Sequence, residues 1–312
     1  MIELRDRHHY RWDRSLTPAA LVEPGETVRV WCREACDGQF TPDALDDQMR
    51  HVDQARVHSL SGPIAVAGAE PGDALVVDIL EIEHEGWAWT SMEPGFGVLH
   101  EEFGDDEYHV QIWRVDERGR AVMKPGVAVG LDPFFGVIGV APAEPGEHST
   151  IPPRDVGGNM DCRRLRVGSR AFFPVKVAGG LLSLGDGHLA QGDGEVCGTA
   201  LEAPLVATLR IGLERGLGIE RVMIDSPPPP DEGSGAYVTT STNGEMRDQV
   251  REAVGDMVSL LVDRHDLERH EAYMLCSAAG NLAISVAPLG PGHDGMVSFA
   301  LPKSVFDEEV GL

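Results

Sequence analysis

The sequence predicts a mainly β fold, a large strand-rich body followed by a smaller α+β portion, on three observations. Gly and Pro, 37 and 21 of 312 residues, are spread throughout and cut the chain into short segments bounded by turns. Between them, apolar residues alternate at period two, as half-buried strands require. One long stretch, Asn243 to His265, instead repeats its apolar residues at three- and four-residue steps.

In chain order, residues 20–33 alternate around Leu21, Val28 and Val30, with EPGE as the turn. Residues 62–83 give two strands, GPIAVAGA and ALVVDILEIE, around EPGD. HVQIWRV and FGVIGVAPA follow between Val110 and Val140, and residues 171–184 (AFFPVKVAGGLLSL) read as one strand-like run. In 204–213, Leu205, Ala207, Leu209, Ile211 and Leu213 share a face, while SPPPPDEGSG at 226–235 is a surface loop. Met246, Val250, Val254, Met257, Val258 and Leu261 make 243–265 an amphipathic helix with Thr242 or Asn243 as its N-cap. A shorter helix across Leu267–Ala279 and strands SVAPL and MVSFALP close the chain. The expected parts are 1–130 (β-rich), 131–215 (β, carrying the site) and 216–312 (α+β), folded as one compact unit.

A net charge of −25 argues against nucleic acid and anionic membranes, whose attraction needs basic patches. No window approaches the ~20 apolar residues of a membrane span, and the first residues lack the apolar core of a secretory signal. Cytoplasm is the expected location. Five scattered cysteines, an odd number in a long chain, read as free thiols.

Side chains able to bind metal or move protons crowd between Gly157 and Glu202. GGNMD supplies Asn159 and Asp161; GDGHLAQGDGEVCGTALE supplies Asp186, His188, Gln191, Asp193, Glu195 and Glu202. Carboxylates and an imidazole at this density repel one another unless protons or a cation are shared among them. Glycines alternate with them and suggest sharp bends that point the side chains inward. The plain alternative is a set of surface Asp-Gly turns, which suits any single pair better than the whole run. The spacing does not fit an EF-hand.

GGNMDCRRL, PVKVAGGLLSLGDGHLAQGDGEVCGTALE and FGVIGVAPA resemble signature segments of the acetamidase/formamidase family. DGQ at 37–39, HSLSGPIAVAGAEPGDAL at 58–75, EAYMLCSAAGNLAIS and LPKSVF resemble its terminal motifs, so the likeness runs over nearly the whole chain. Ser59 stands where the family's upstream His is usually followed by proline, and RRLR after Cys162 has no assigned counterpart. The resemblance implies a β-sandwich with a barrel-like subdomain and an α+β portion. It also implies hydrolysis of a short aliphatic amide, such as formamide or acetamide, to the acid and ammonia.

A divalent metal ion suits that chemistry, since it polarises a carbonyl and acidifies a bound water. His58, Asp161, His188, Asp193 and Glu195 are the expected ligands, His58 chiefly on the resemblance. Glu195 is alternatively the general base, and Asn159 a hydrogen-bond donor to the substrate carbonyl. Asp37, in DGQ, and Glu202, as an orienting group, are further candidates. Nitrogen among the ligands favours zinc; abundant carboxylates admit calcium or manganese. A rival mechanism would use Cys162 or Cys197 as nucleophile with Glu195 and Lys176, but both thiols adjoin acids that raise a thiol pKa. A different class of reading is a non-enzymatic β-sandwich with a structural calcium and a binding surface for carbohydrate, which the 6% aromatic content disfavours. Edge strands favour a homodimer or higher homo-oligomer.

Overall fold

A computed structural model of the chain describes residues 1–102, 106, 108–228, 234–288 and 295–306. Two sheets dominate. The first has nine strands in the order Ile2–Leu4, Glu26–Cys32, Leu205–Glu214, Ala74–His84, Arg170–Pro174, Met223–Ser226, Ala236–Ser241, Met296–Pro302, Asn281–Val286. It therefore takes strands from early, middle and late sequence. Leu205–Glu214 shows why it forms: Leu205, Ala207, Leu209 and Ile211 are buried while Arg210 faces out. On that outer face Arg170 and Arg210 both clasp Asp78, at 2.6 and 2.8 Å.

The second sheet holds the site. Leu182–His188 is its hub, pairing with Phe134–Gly139 on one side and with Leu60–Val66 and Glu202–Ala203 on the other. All three long central strands are buried from end to end, so they read as continuous apolar or small-residue runs rather than as alternation. The inner faces of the two sheets share one core, with Val28, Val30, Leu75 and Val77 from the first meeting Ile138, Leu182 and Leu184 from the second.

Helices α1 (Met246–His265) and α2 (Arg269–Ala279) bury Met257, Val258, Leu261, Ala272 and Cys276 against Tyr237, Val297, Phe299 and Leu301. Neither Thr242 nor Asn243 caps α1. Its N-cap is Glu245, because the Asn243 amide is engaged with Asp155 at 3.0 Å and with Glu252. The run 171–184 is two strands, one in each sheet, because the chain turns through left-handed residues Gly179, Gly180 and Leu181. The expected SVAPL strand starts earlier, at Asn281, straight after α2 and Gly280. Half of the expected 226–235 loop, residues 229–233, lies outside those described. All five cysteines are free. No helix among the described residues is long and apolar enough to cross a membrane.

Candidate active site

Strand register assembles the site. In Leu182–His188, Asp186 and His188 are two residues apart and so project from the same face. His188 lies directly opposite Glu202 on one neighbouring strand and opposite Phe134 on the other. The strand Gly157–Asn159 pairs with Phe134–Gly139, and the backbone N–H groups of Met160 and Asp161 then donate to the Gly136 carbonyl at 3.0 and 3.2 Å. That turn brings Asp161 back under His188. Cross-strand opposition gathers Asp186, His188 and Glu202, while Asp161 and Glu195 enter from the segments that follow Gly157–Asn159 and Leu182–His188.

The result is a buried cluster. His188 Nε2 lies 3.3 Å from Glu202 Oε2, 3.4 Å from Asp186 Oδ2, and 4.0 Å from both Asp161 Oδ1 and Glu195 Oε1. The other ring nitrogen, Nδ1, is 2.9 Å from Gln191 Oε1. Asp161, Asp186 and Glu195 all have positive φ, at 44, 54 and 43°, a conformation that few non-glycine residues adopt. Three such residues in one cluster mark backbone bent to aim carboxylates. A cavity of about 430 Å³ opens onto them. Asn159, Asp186, Glu195 and Glu202 line its polar floor, with His58 at the side; Met49, Val57, Phe96 and Ile151 contribute apolar wall.

The electrostatics follow from burial and like charge. Burial, then the Asp186 charge, pushes Asp161 up to about 7, and burial pushes Glu202 up to about 8. Burial and the Asp161 charge drive Glu195 well above its ordinary value. Burial opposes the ionised form of Asp186 as well, but the His58 and His188 imidazoles hold it below the usual carboxylate range. For His188 burial works downward, and the Glu202 and Asp186 carboxylates outweigh it, raising the imidazole. His58 is lowered by burial.

The donor set fits a divalent cation. Both Asp161 carboxylate oxygens, His188 Nε2 and Glu202 Oε2 are buried without a hydrogen-bond partner, as are Asn159 Oδ1 and His58 Nδ1 beside them. Buried acceptors are rarely left so, and these converge on one place. Two overlapping ligand groups result, Asp161 with Asp186 and His188, and His188 with Glu195 and Glu202, the atoms of each within 4.8 Å of one another. A nitrogen and several carboxylates at this spacing can hold a zinc-, manganese- or calcium-like ion.

The expected residues are thus partly gathered. Asp161, His188 and Glu195 meet, with Glu202 among them and Asn159 and His58 alongside. Asp193 does not join them: its side chain is exposed on the following loop. Asp186 holds the position instead. Its signal was the i, i+2 spacing to His188, hidden because GDGH resembles a glycine turn when it is a strand. Gly187 is needed on the opposite face, where a Cβ would come within 2.5 Å of Leu205 Cγ. Asp37 is elsewhere; its buried carboxylate accepts from Arg33 (2.8 Å), Arg56, Ser59 (2.9 Å) and Tyr10 (3.0 Å). Cys162 is buried and pushed up by burial, and Cys197 lies against Thr199.

Comparison with known proteins identifies the family. The profile described as Acetamidase/Formamidase family matches residues 1–147 and 145–308. The formamidase of Methylophilus methylotrophus is 34% identical over 277 residues, covering 70% of this chain and 67% of that protein. The acetamidase of Mycolicibacterium smegmatis is 33% identical over 282 residues, covering 70% and 69%. The crystal structure of acetamidase from Bacillus halodurans superposes with a TM-score of 0.87 at 27% identity, covering 98% of this chain and 99% of that one. The chain belongs to the acetamidase/formamidase family and is an amidohydrolase.

Proposed function

We propose that the chain hydrolyses a short aliphatic amide to carboxylate and ammonia with the help of a divalent metal ion held by Asp161, Asp186, His188 and Glu202, with Glu195 beside them as the general base. The observation that carries this reading is the convergence of unpartnered buried acceptors at the floor of a cavity. A cation bound there supplies polarisation of the amide carbonyl and a more acidic water. The chain's own groups do the rest. The Asn159 side chain, whose Oδ1 has no hydrogen-bond partner among the described residues, lines the cavity and can donate its amide N–H to the substrate carbonyl. Glu195 removes the proton from the attacking water and delivers it to the departing nitrogen, so that ammonia and the acid leave. Burial makes its carboxylate, once ionised, a stronger base than a solvated one.

The exposure of Asp193 weighs against a ligand role for it. Zinc suits the His188 nitrogen, and manganese or calcium the carboxylates. A cytoplasmic protein accords with the five free thiols. A homo-oligomer is favoured by the edge strand Asn281–Val286, which exposes Leu282 and Ile284. A single folding unit from 1–130, 131–215 and 216–312 is favoured by the first sheet, which uses strands of all three.

The test incubates purified protein with formamide, acetamide and propionamide, before and after chelation, and measures ammonia. Release that stops on chelation and returns with added zinc, manganese or calcium is the expected outcome, and elemental analysis names the ion. Undiminished release from metal-free protein would sink the metal-dependent reading.

A further inference from the structure

The geometry points to Gln191 as a positioning residue that orients His188 and ties the site to the C-terminal α+β portion. The Gln191 Nε2 donates to two backbone carbonyls, Asp161 O at 2.8 Å and Ser285 O at 3.1 Å. A carbonyl oxygen only accepts, so both bonds require the amide nitrogen and fix which way the carboxamide faces. Its Oε1 is then the atom 2.9 Å from His188 Nδ1. That oxygen only accepts as well, so Nδ1 carries the hydrogen and Nε2 faces the carboxylates. One side chain thereby sets the ring's orientation and its tautomer, and pins the Asp161 turn.

The third contact reaches another part of the fold. Ser285 lies in the edge strand Asn281–Val286, packed beside Ser298 by a 3.0 Å hydroxyl contact. Its carbonyl also accepts from Gly194 N at 3.1 Å, and Ala287 N donates back to Gly194 O at 2.9 Å. The loop that carries Glu195 is therefore stitched to the C-terminal portion at three points. This explains how the described residues after 216, none of which supplies a side chain to the cluster, take part in shaping it.

Two variants test the role. Gln191→Met keeps length and removes every polar contact; Gln191→Glu keeps the acceptor for His188 and loses the two donations. Cation affinity by chelator competition should weaken at least tenfold in Gln191→Met, as loss of an orienting partner does elsewhere. With amide substrates kcat should fall while KM changes little. Nitrogen-15 NMR of His188 in cation-free protein should show a hydrogen-bonded, slowly exchanging Nδ1–H in the wild type, lose that protection in Gln191→Met and recover it in Gln191→Glu. Cation affinity within twofold of wild type together with an unchanged ring signature in Gln191→Met would overturn the assignment. If the wild type binds no cation, the proposed function fails, and the ring signature alone decides the role of Gln191.

A separate observation concerns the acyl group. The cavity, about 430 Å³, is far larger than formamide or acetamide fills, and away from the acidic cluster its lining includes Ala35, Met49, Val57, Phe96 and Ile151 beside the polar Gln54 and Glu93. We infer, given the proposed hydrolysis, that the preferred substrate carries an apolar acyl chain on the order of four to six carbons. Values of kcat/KM should then rise about fourfold per methylene from acetamide through butyramide to hexanamide. A flat or falling series would refute it. Should no amide be turned over, thermal shifts with the same amides separate the two ideas: a shift growing with chain length keeps the acyl pocket and removes the reaction, and no growth removes both.

Discussion

Gly136 sits directly beneath the cluster: a Cβ there would lie 2.5 Å from Asp161 Oδ1, 2.6 Å from His188 Cε1 and 2.7 Å from Asp186 Oδ2. Its neighbours in the strand, Phe135 and Val137, pair with Gly187 and Gly185, which places Gly136 across from Asp186. The absence of a side chain is what leaves room for these three side chains to converge. Gly136→Ala should lower kcat/KM about 100-fold through displaced ligands, with a loss of only about 1–3 kcal/mol in stability. Urea unfolding beside steady-state kinetics checks this, and full activity in the alanine variant would show that the three groups need not meet.

Asp186 and Asp193 offer a direct comparison between buried and exposed carboxylates in one short segment. Asp186→Asn should weaken cation affinity at least tenfold, whereas Asp193→Asn should change it less than threefold. Isothermal titration with the metal-free proteins reads both. The opposite ranking would return Asp193 to the ligand set.

Thiol chemistry has no support in the geometry. Cys36 is pushed well above its ordinary value and Cys32 up to about 12, both chiefly by burial, and Cys162 is raised the same way. Cys162→Ala and Cys197→Ala should each retain at least a third of wild-type kcat, while Cys162→Ala costs ~1 kcal/mol in stability from the lost packing. Near-complete inactivation by either change would require a covalent mechanism.

Asp37 ties the segment before the second sheet together. Burial by itself would raise its carboxyl, but hydrogen bonds from Arg56, Arg33, Ser59 and Tyr10 hold it below the ordinary value. A depressed folded-state pKa adds stability above the unfolded value near 3.9, and that stability is lost as pH falls through the folded value. Asp37→Asn should therefore destabilise by ~2 kcal/mol at pH 7, less than a fully buried pair because both guanidiniums are about 40% exposed. The difference from wild type should shrink below about pH 4. Urea midpoints from pH 3 to 7 measure it; a constant difference across that range would show that shape rather than charge explains the effect.

Much of the fold was legible locally. Period-two alternation placed Leu205–Glu214, and the three- and four-residue repeat placed α1, because each pattern reports which face of an element is buried. Where interactions reach further, local reading failed. Asn243 was bound to Asp155, 88 residues away, and so could not cap α1. The run 171–184 divided between two sheets at Gly179 and Gly180, although its composition reads as one strand.

The site divides the same way. Read without coordinates, the chain already disclosed its family and the chemical types crowded between Gly157 and Glu202, with His188 and Asp161 among them. Folding is what put Asp186 rather than Asp193 beside His188, set Glu202 at 3.3 Å from His188 Nε2, and left Gly136 as the space they share. The physical reason is register: a strand's own residues fix which side chains share its face, but the opposing residue is decided by pairing with a strand elsewhere in the chain.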